Sequence, residues 1–329
     1  MKGLKRVGYP MGACAIVAVL SGCGGSVPPP AASSAAMRSQ ISSAPGVMVD
    51  KGLYATVLNG GKVYGYPIDN SRNKPPFCTV DGVRPSDVAV DGKGNLIVPS
   101  ENGYTGTVTV FKGPSMCGPK LGSVTNPYGR PTDAAAGADA TTGTFIVGSF
   151  NGPGGDNPGS VAVCTLKGGC TSTLSNPMAQ YVGAVALARN RDCWASAETV
   201  GYNAILIYHR GCGKKGVPAK HFLNHSLGGL DIDSQGHLVA ISSTDAKLYV
   251  YSGCNPDCSL VGGPFALRGS PQFGHLNESS TRLAVGSGSP AEVDVYAYSP
   301  THVRLLYSFN KGLGIGSYAA AAYNPRSKE

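Results

Sequence analysis

Residues 229–242, GLDIDSQGHLVAIS, followed by Leu248-Tyr249-Val250-Tyr251, hold the pattern that decides the fold. A short apolar run meets a polar turn at Asp233-Ser234-Gln235-Gly236, and a second run leads back from it. A third run, rich in β-branched and aromatic residues, follows after another turn. The runs are short, alternate with period two and stop at Gly, Pro or Asn. That is the signature of strands; helical repeats of similar length would need longer runs of period 3.6.

The third run recurs along the chain. It starts at Val63, Val108, Val161, Ile205, Leu248 and Val293, at intervals of 45, 53, 44, 43 and 45 residues. The long interval carries an evident insertion, Gly152-Pro153-Gly154-Gly155-Asp156-Asn157-Pro158. The strand–turn–strand element recurs in phase with it, at 87–100, 133–149, 184–198 and 273–287. A last copy, SYAAAAYNP at 317–325, stops after its first strand. A repeat of about 45 residues with roughly four strands has the size of a propeller blade. The fold expected for residues 47–329 is therefore all-β, a six-bladed β-propeller of four-stranded blades.

Two further features fit a ring. The first strand of each unit is rich in small residues (Ala89, Ala134 to Ala136, Ala184, Ala186, Gly228, Gly229, Ala319 to Ala322), as expected where inner strands crowd an axis. The last copy supplies only an inner strand, whereas Leu53–Leu58, Val63–Tyr66 and Phe77–Val80 have none before them. Pairing the two chain ends completes a blade and hides two sheet edges.

With these repeats the chain resembles the NHL-type and SMP-30-like six-bladed propellers over residues 50 to 325. The turns Asp91-Gly92-Lys93-Gly94-Asn95 and Asp233-Ser234-Gln235-Gly236-His237 come nearest to that family's Asp-x-x-Gly-Asn turn. Blades two, three and five depart from it. The resemblance to SMP-30-like lactonases implies a calcium ion held by Glu, Asn and Asp from several blades and acting as a Lewis acid. No matching ligand set can be placed here, so no cofactor is expected, with calcium the one ion that the resemblance brings into question.

The N-terminus reads as an export signal. Lys2, Lys5 and Arg6 precede an apolar run from Met11 to Leu20, which is far short of the roughly 20 residues a spanning helix needs. The run ends in Leu20-Ser21-Gly22-Cys23, which resembles the lipobox of bacterial prolipoproteins. That resemblance implies cleavage before Cys23, diacylglycerol on its thiol and acylation of the new amine. Residues 1–22 are thus expected to be a signal peptide. Residues 23–46, rich in Pro, Ser and Ala, should be a lipidated flexible tether. The expected location is the cell envelope, on the extracytoplasmic side, and Gly24 after the lipidated position leans toward an outer membrane.

Beyond Cys14 and Cys23, eight cysteines remain of the ten in the chain. An even number outside the cytoplasm reads as disulfides, but the count alone allows on the order of a hundred pairings. The blade frame favours Cys254 with Cys258 in one loop and Cys164 with Cys170 on a hairpin. It also favours Cys193 with Cys212 at one edge, leaving Cys78 and Cys117 in neighbouring blades. Cys212, His221 and His225 could be drawn as zinc ligands. His-x3-His works on one face of a helix, however, and this segment reads as strand and loop.

Charged residues are only 14% of the chain, and of its net +8 three charges lie in the signal peptide. Basic residues are scattered, so no nucleic-acid stripe is present. No nucleophile elbow, Walker loop or dinucleotide fingerprint occurs. The candidates for chemistry lie on the inner strands: Asp87 and Asp133 at equivalent starting positions, Asp231 and His275 two residues further along theirs. They read as channel-mouth binding residues. Glu101, Asn102 and Glu198 fall in loops, and Trp194 reads as packing.

The leading expectation is a monomeric, non-enzymatic, lipid-tethered binding module for a protein or glycan partner. The rival readings are a metal-dependent lactonase or hydrolase of SMP-30-like type and a cell-envelope assembly factor.

Overall fold

The computed structural model describes residues 41–43, 52–57, 61–102, 105–136, 143–150, 158–175, 179–188, 193–199, 202–208, 219–254, 257–288, 291–314 and 319–323. The signal peptide, the lipobox with Cys23, most of the tether, Cys212 and the insertion at 152–157 lie outside these residues. The described chain is all strand and turn, with no helix.

Five four-stranded antiparallel sheets follow one another along the chain. The first holds β5 (Ala89–Val90), β6 (Leu96–Asn102), β7 (Thr105–Phe111) and β8 (Lys120–Asn126). Next come β9 (Pro131–Ala136), β10 (Thr144–Ser149), β11 (Ser160–Thr165) and β12 (Gly169–Ser175). The third holds β13 (Tyr181–Leu187), β14 (Cys193–Thr199), β15 (Tyr202–Tyr208) and β16 (Ala219–Leu223). The fourth is β17 (Leu227–Ile232), β18 (Leu238–Ser242), β19 (Lys247–Ser252) and β20 (Ser259–Ala266). The fifth is β21 (Pro271–Leu276), β22 (Arg282–Ser287), β23 (Glu292–Ser299) and β24 (His302–Phe309). Each is a meander, and each recurring third run is the third strand of its blade.

The remaining sheet joins the chain ends. It runs β1 (Ile41–Ser43), β4 (Cys78–Asp81), β3 (Lys62–Pro67), β2 (Gly52–Val57) and β25 (Ala319–Tyr323). The C-terminal strand pairs with β2 from Leu53↔Tyr323 to Val57↔Ala319, which is the closure expected from the truncated last copy. One expectation is corrected here: this sheet has five strands, not four. Ile41–Ser43 lies along the free edge of β4, with Ile41 opposite Val80, and satisfies backbone groups that an outer strand would leave open.

Burial explains why the strands differ in composition. The β18 residues LVAIS are buried throughout, because a blade is sandwiched between two neighbours and both faces of its middle strands are covered. The outermost strands β20 and β24 are instead exposed or half-buried along nearly their whole length. Six apolar clusters fill the spaces between adjacent sheets, each drawing residues from two of them. One, for example, packs Ile97 and Val110 of the first blade on Phe145 and Val147 of the second.

Toward the axis the strands touch directly, and side-chain size becomes decisive. A Cβ added to Gly228 would lie 2.9 Å from the Gln272 carbonyl oxygen on the neighbouring inner strand, so only glycine fits without a shift. The closing sheet is also clasped to the fifth blade by hydrogen bonds. Asn73 Oδ1 accepts from the backbone amides of Asn310 and Lys311, and the Tyr66 and Tyr307 hydroxyls donate to the carbonyls of Lys311 and Ile68.

Among the described residues both partners are seen for three disulfides: Cys78–Cys117, Cys164–Cys170 and Cys254–Cys258. The first staples the closing sheet to the first blade. Cys193 is also disulfide-bonded.

Candidate functional site

The inner strands bring all four candidate residues into one cluster. Asp87 lies just before β5, Asp133 in β9, Asp231 in β17 and His275 in β21. The Nε2 of His275 is 3.6 Å from Asp87 Oδ2, and its Nδ1 is 3.7 Å from Asp231 Oδ2. One ligand atom from each of Asp87, Asp133 and His275 can be chosen so that all three lie within 4.8 Å of one another.

The residues are not equivalent. Asp231 and His275 line an opening of about 210 Å³ at the end of the channel, beside Ala89, Ala135, Asn277 and Glu278. Asp87 and Asp133 are completely or almost completely buried, at 0% and 2% exposure. Of the four residues expected at the mouth, two form its wall and two lie buried behind it.

Their hydrogen bonding differs too. Asp133 Oδ2 accepts from the amide of Val185 at 2.7 Å, on the inner strand of the next blade. Asp231 Oδ2 accepts from the amide of Leu276 at 2.7 Å, and its Oδ1 from Ile232 at 2.7 Å. In both cases a carboxylate satisfies a backbone N–H across a blade boundary where no ladder exists. Asp87 has no such bond: both its oxygens, and Asp133 Oδ1, are buried without a hydrogen-bond partner.

Electrostatics follow from the crowding. Burial and then the neighbouring Asp87 carboxylate push Asp133 well above the usual carboxylate range. Burial alone would depress His275, but the carboxylates of Asp231 and Asp87 on either side of the ring outweigh it and hold the imidazole well above its ordinary value. The cluster thus gathers three carboxyl groups around one imidazole, with Asp87 and Asp133 buried and Asp231 and His275 at the opening. Such a site can share protons, hold a cation, or present donors and acceptors to a ligand.

The turns beside the opening are built alike. Asp91 Oδ1 accepts from the amides of Lys93 and Asn95, and Asp233 Oδ1 from those of Gln235 and His237. Gly94 and Gly236 take positive φ of 82° and 86°, where a side chain would be strained. The sequence did not mark the third instance. Asn277 Oδ1 accepts from Thr281 and Arg282, with Ser280 at φ 52°, so Asn stands in for the turn's Asp and Ser for its Gly. This turn carries Glu278 to the rim. The side chain at 277, five residues before a strand, was the only signal for it.

Other acids are otherwise engaged. Glu101 accepts from Arg130 at 2.6 Å. His221 Nδ1 faces the Cys258 amide at 3.3 Å, while the His225 ring stacks on Tyr249 at 4.3 Å, so each has local work unrelated to a shared metal. The side chains of Asn102, Trp194 and Glu198 lie outside the described residues.

No protein-family model matches the chain, and no curated protein matches its sequence. Its fold does match solved structures. A periplasmic gluconolactonase from Pseudomonas aeruginosa aligns with TM-score 0.58 and 15% identity, covering 83% of this chain and 99% of that one. A propeller in the nidogen/laminin complex aligns with TM-score 0.60 and 11% identity, over 83% and 98%. A protein from Bacteroides uniformis assigned as a 6-phosphogluconolactonase aligns with TM-score 0.51 and 12% identity, over 78% and 82%. The chain is a β-propeller. At such identities the likeness establishes the fold alone.

The calcium implied by lactonase resemblance does not fit this cluster. Calcium takes six to eight oxygen ligands, roughly, from carboxylates and carbonyls. Here the set is two carboxylates and an imidazole nitrogen, and the third carboxylate, Asp231, is occupied by two amides.

Proposed function

We propose that this chain is a lipid-anchored, extracytoplasmic binding module that takes one saccharide unit of an envelope glycan at the mouth of its channel. The opening at the channel end supports this reading. Its volume of about 210 Å³ is below the roughly 300–1,000 Å³ of drug-sized sites, so the occupant is small. Its wall offers the acceptor Glu278 and the polar side chains of Asp231, His275, Asn277 and Ser280, beside Ala89, Ala135 and Leu230. A carboxylate at the rim suits hydroxyl donors, and the small apolar side chains suit the face of a ring.

The remaining parts of the reading come from the sequence. Lys2, Lys5, Arg6 and the Leu20-Ser21-Gly22-Cys23 box support export and acylation of Cys23, with a monomeric propeller held at the membrane. We count the five-stranded sheet as a sixth blade, because its inner strand β25 lies between β21 and β5.

Saturation-transfer NMR with monosaccharides and peptidoglycan- or polysaccharide-derived fragments tests the proposal. Saturable contact that weakens at least fivefold in Glu278→Ala is expected. If no fragment gives saturable contact, the saccharide reading fails.

A second reading, a lactonase, is favoured by the likeness to two lactonase propellers and by an imidazole facing carboxylates. Opening of glucono-1,5-lactone above the spontaneous rate, abolished in His275→Gln, would replace the binding reading.

A further inference from the structure

The distances in the buried cluster are informative because they are wrong for hydrogen bonds. His275 Nε2 and Asp87 Oδ2 stand 3.6 Å apart, beyond the 2.7–2.9 Å or so of a charge-assisted hydrogen bond. Two ligands of one tetrahedral ion with bonds of about 2.0–2.1 Å are separated by about 3.3 Å. The measured gap is close to that second value. Asp87 is fully buried and neither of its oxygens has a hydrogen-bond partner, nor has Asp133 Oδ1, and one ligand atom from each of Asp87, Asp133 and His275 lies within 4.8 Å of the other two. Leaving buried carboxylate oxygens unmatched costs several kcal/mol, on the order of the desolvation of a charge.

We infer that Asp87, Asp133 and His275 Nε2 form a binding site for a divalent transition ion of the zinc type, with Asp231 as the positioning residue behind the histidine. The donor set of two carboxylate oxygens and one imidazole nitrogen suits zinc and its neighbours, and leaves a fourth position open. Asp231 Oδ2 lies 3.7 Å from Nδ1, too far for a hydrogen bond, but its charge favours the proton on that nitrogen and leaves Nε2 toward Asp87. Asp231 is itself held by the amides of Ile232 and Leu276, so the chain from backbone to carboxylate to imidazole is anchored. Three separate blades supply the ligands, and the ion would tie their inner strands together at the axis. The inference does not depend on the saccharide reading, because metal binding is read without any sugar.

The test uses the full chain, purified in detergent and stripped with a chelator, with zinc chloride as the probe in isothermal titration. One zinc per chain is expected, and millimolar calcium should not displace it. Asp87→Asn, Asp133→Asn and His275→Gln should each weaken binding at least tenfold, and Asp231→Asn should weaken it about 10–100-fold while keeping the one-to-one ratio. Near-UV circular dichroism checks that each variant is folded. Cobalt(II) added to the unaltered chain gives a readout that needs no variant: intense visible bands mark four-coordination. No saturable zinc binding, displacement by calcium, weak octahedral cobalt bands, or undiminished affinity in folded His275→Gln would each overturn the assignment.

Discussion

The carboxylate of Asp133 accepts a hydrogen bond of 2.7 Å from the backbone amide of Val185, although the two residues belong to different blades. Inner strands of adjacent blades do not pair in a ladder, so their backbone groups need other partners in a region closed to water. Asp133 supplies one for β13, and Asp231 repeats the device for β21. Residues chosen as binding candidates thus also hold the ring together.

Asp133→Ala should destabilise the fold by about 1–3 kcal/mol, because it strands the buried Val185 N–H. Asp133→Asn, which keeps an acceptor, should cost less. Urea unfolding followed by circular dichroism measures both. An unchanged midpoint in Asp133→Ala would mean that the bond does no structural work.

The disulfides should rank by the loop each closes. Cys78–Cys117 spans a sequence separation of 39 and Cys254–Cys258 only 4. Chain entropy then assigns about 4 kcal/mol to the first and about 2 kcal/mol to the second. Double serine variants compared by thermal unfolding should show the larger loss for Cys78/Cys117. Equal losses would argue against an entropic origin.

Alkaline stability should decline from about pH 10. Burial pushes the Tyr54 phenol up to about 12, with the Cys117 amide, which donates to its oxygen at 2.9 Å, opposing the rise. The unfolded chain loses this proton near its ordinary value of about 10 while the folded chain keeps it. Stability from this group is therefore complete below the unfolded value and falls as pH rises through the folded one. Phenolate absorbance should show Tyr54 titrating late, as the difference between the unaltered chain and Tyr54→Phe. Titration near 10 in folded protein would contradict the burial.

Cys23→Ser should move the protein from the membrane to the soluble fraction and abolish incorporation of labelled palmitate. Retention in washed membranes would defeat the lipid assignment.

Much of this architecture was written in periodicity. Strands sandwiched between blades become continuous apolar runs, which is why Val63, Val108, Val161, Ile205, Leu248 and Val293 mark equivalent places. Closure was legible because Ala319–Tyr323 is a strand lacking the rest of its blade. The cluster was half legible. Asp231 and His275 lie two residues further along their strands than Asp87 and Asp133, and an offset of two keeps side chains on the same face. What pattern could not give was depth. How far each inner strand slides along the axis depends on packing between sheets, and that sliding buries Asp87 while leaving Asp231 at the opening. Ile41–Ser43 was missed for a different reason: its pairing depends on a bare edge at β4, not on any apolar face of its own.

The pairing of Leu53 with Tyr323 has a temporal side. A polypeptide is made from one end. The strand at the front pairs with β3 at once but keeps its other edge open until the rear arrives, so the late residues decide when the ring closes. Damage to a handful of alanines at the extreme end would then be felt at the opposite terminus, as an open seam.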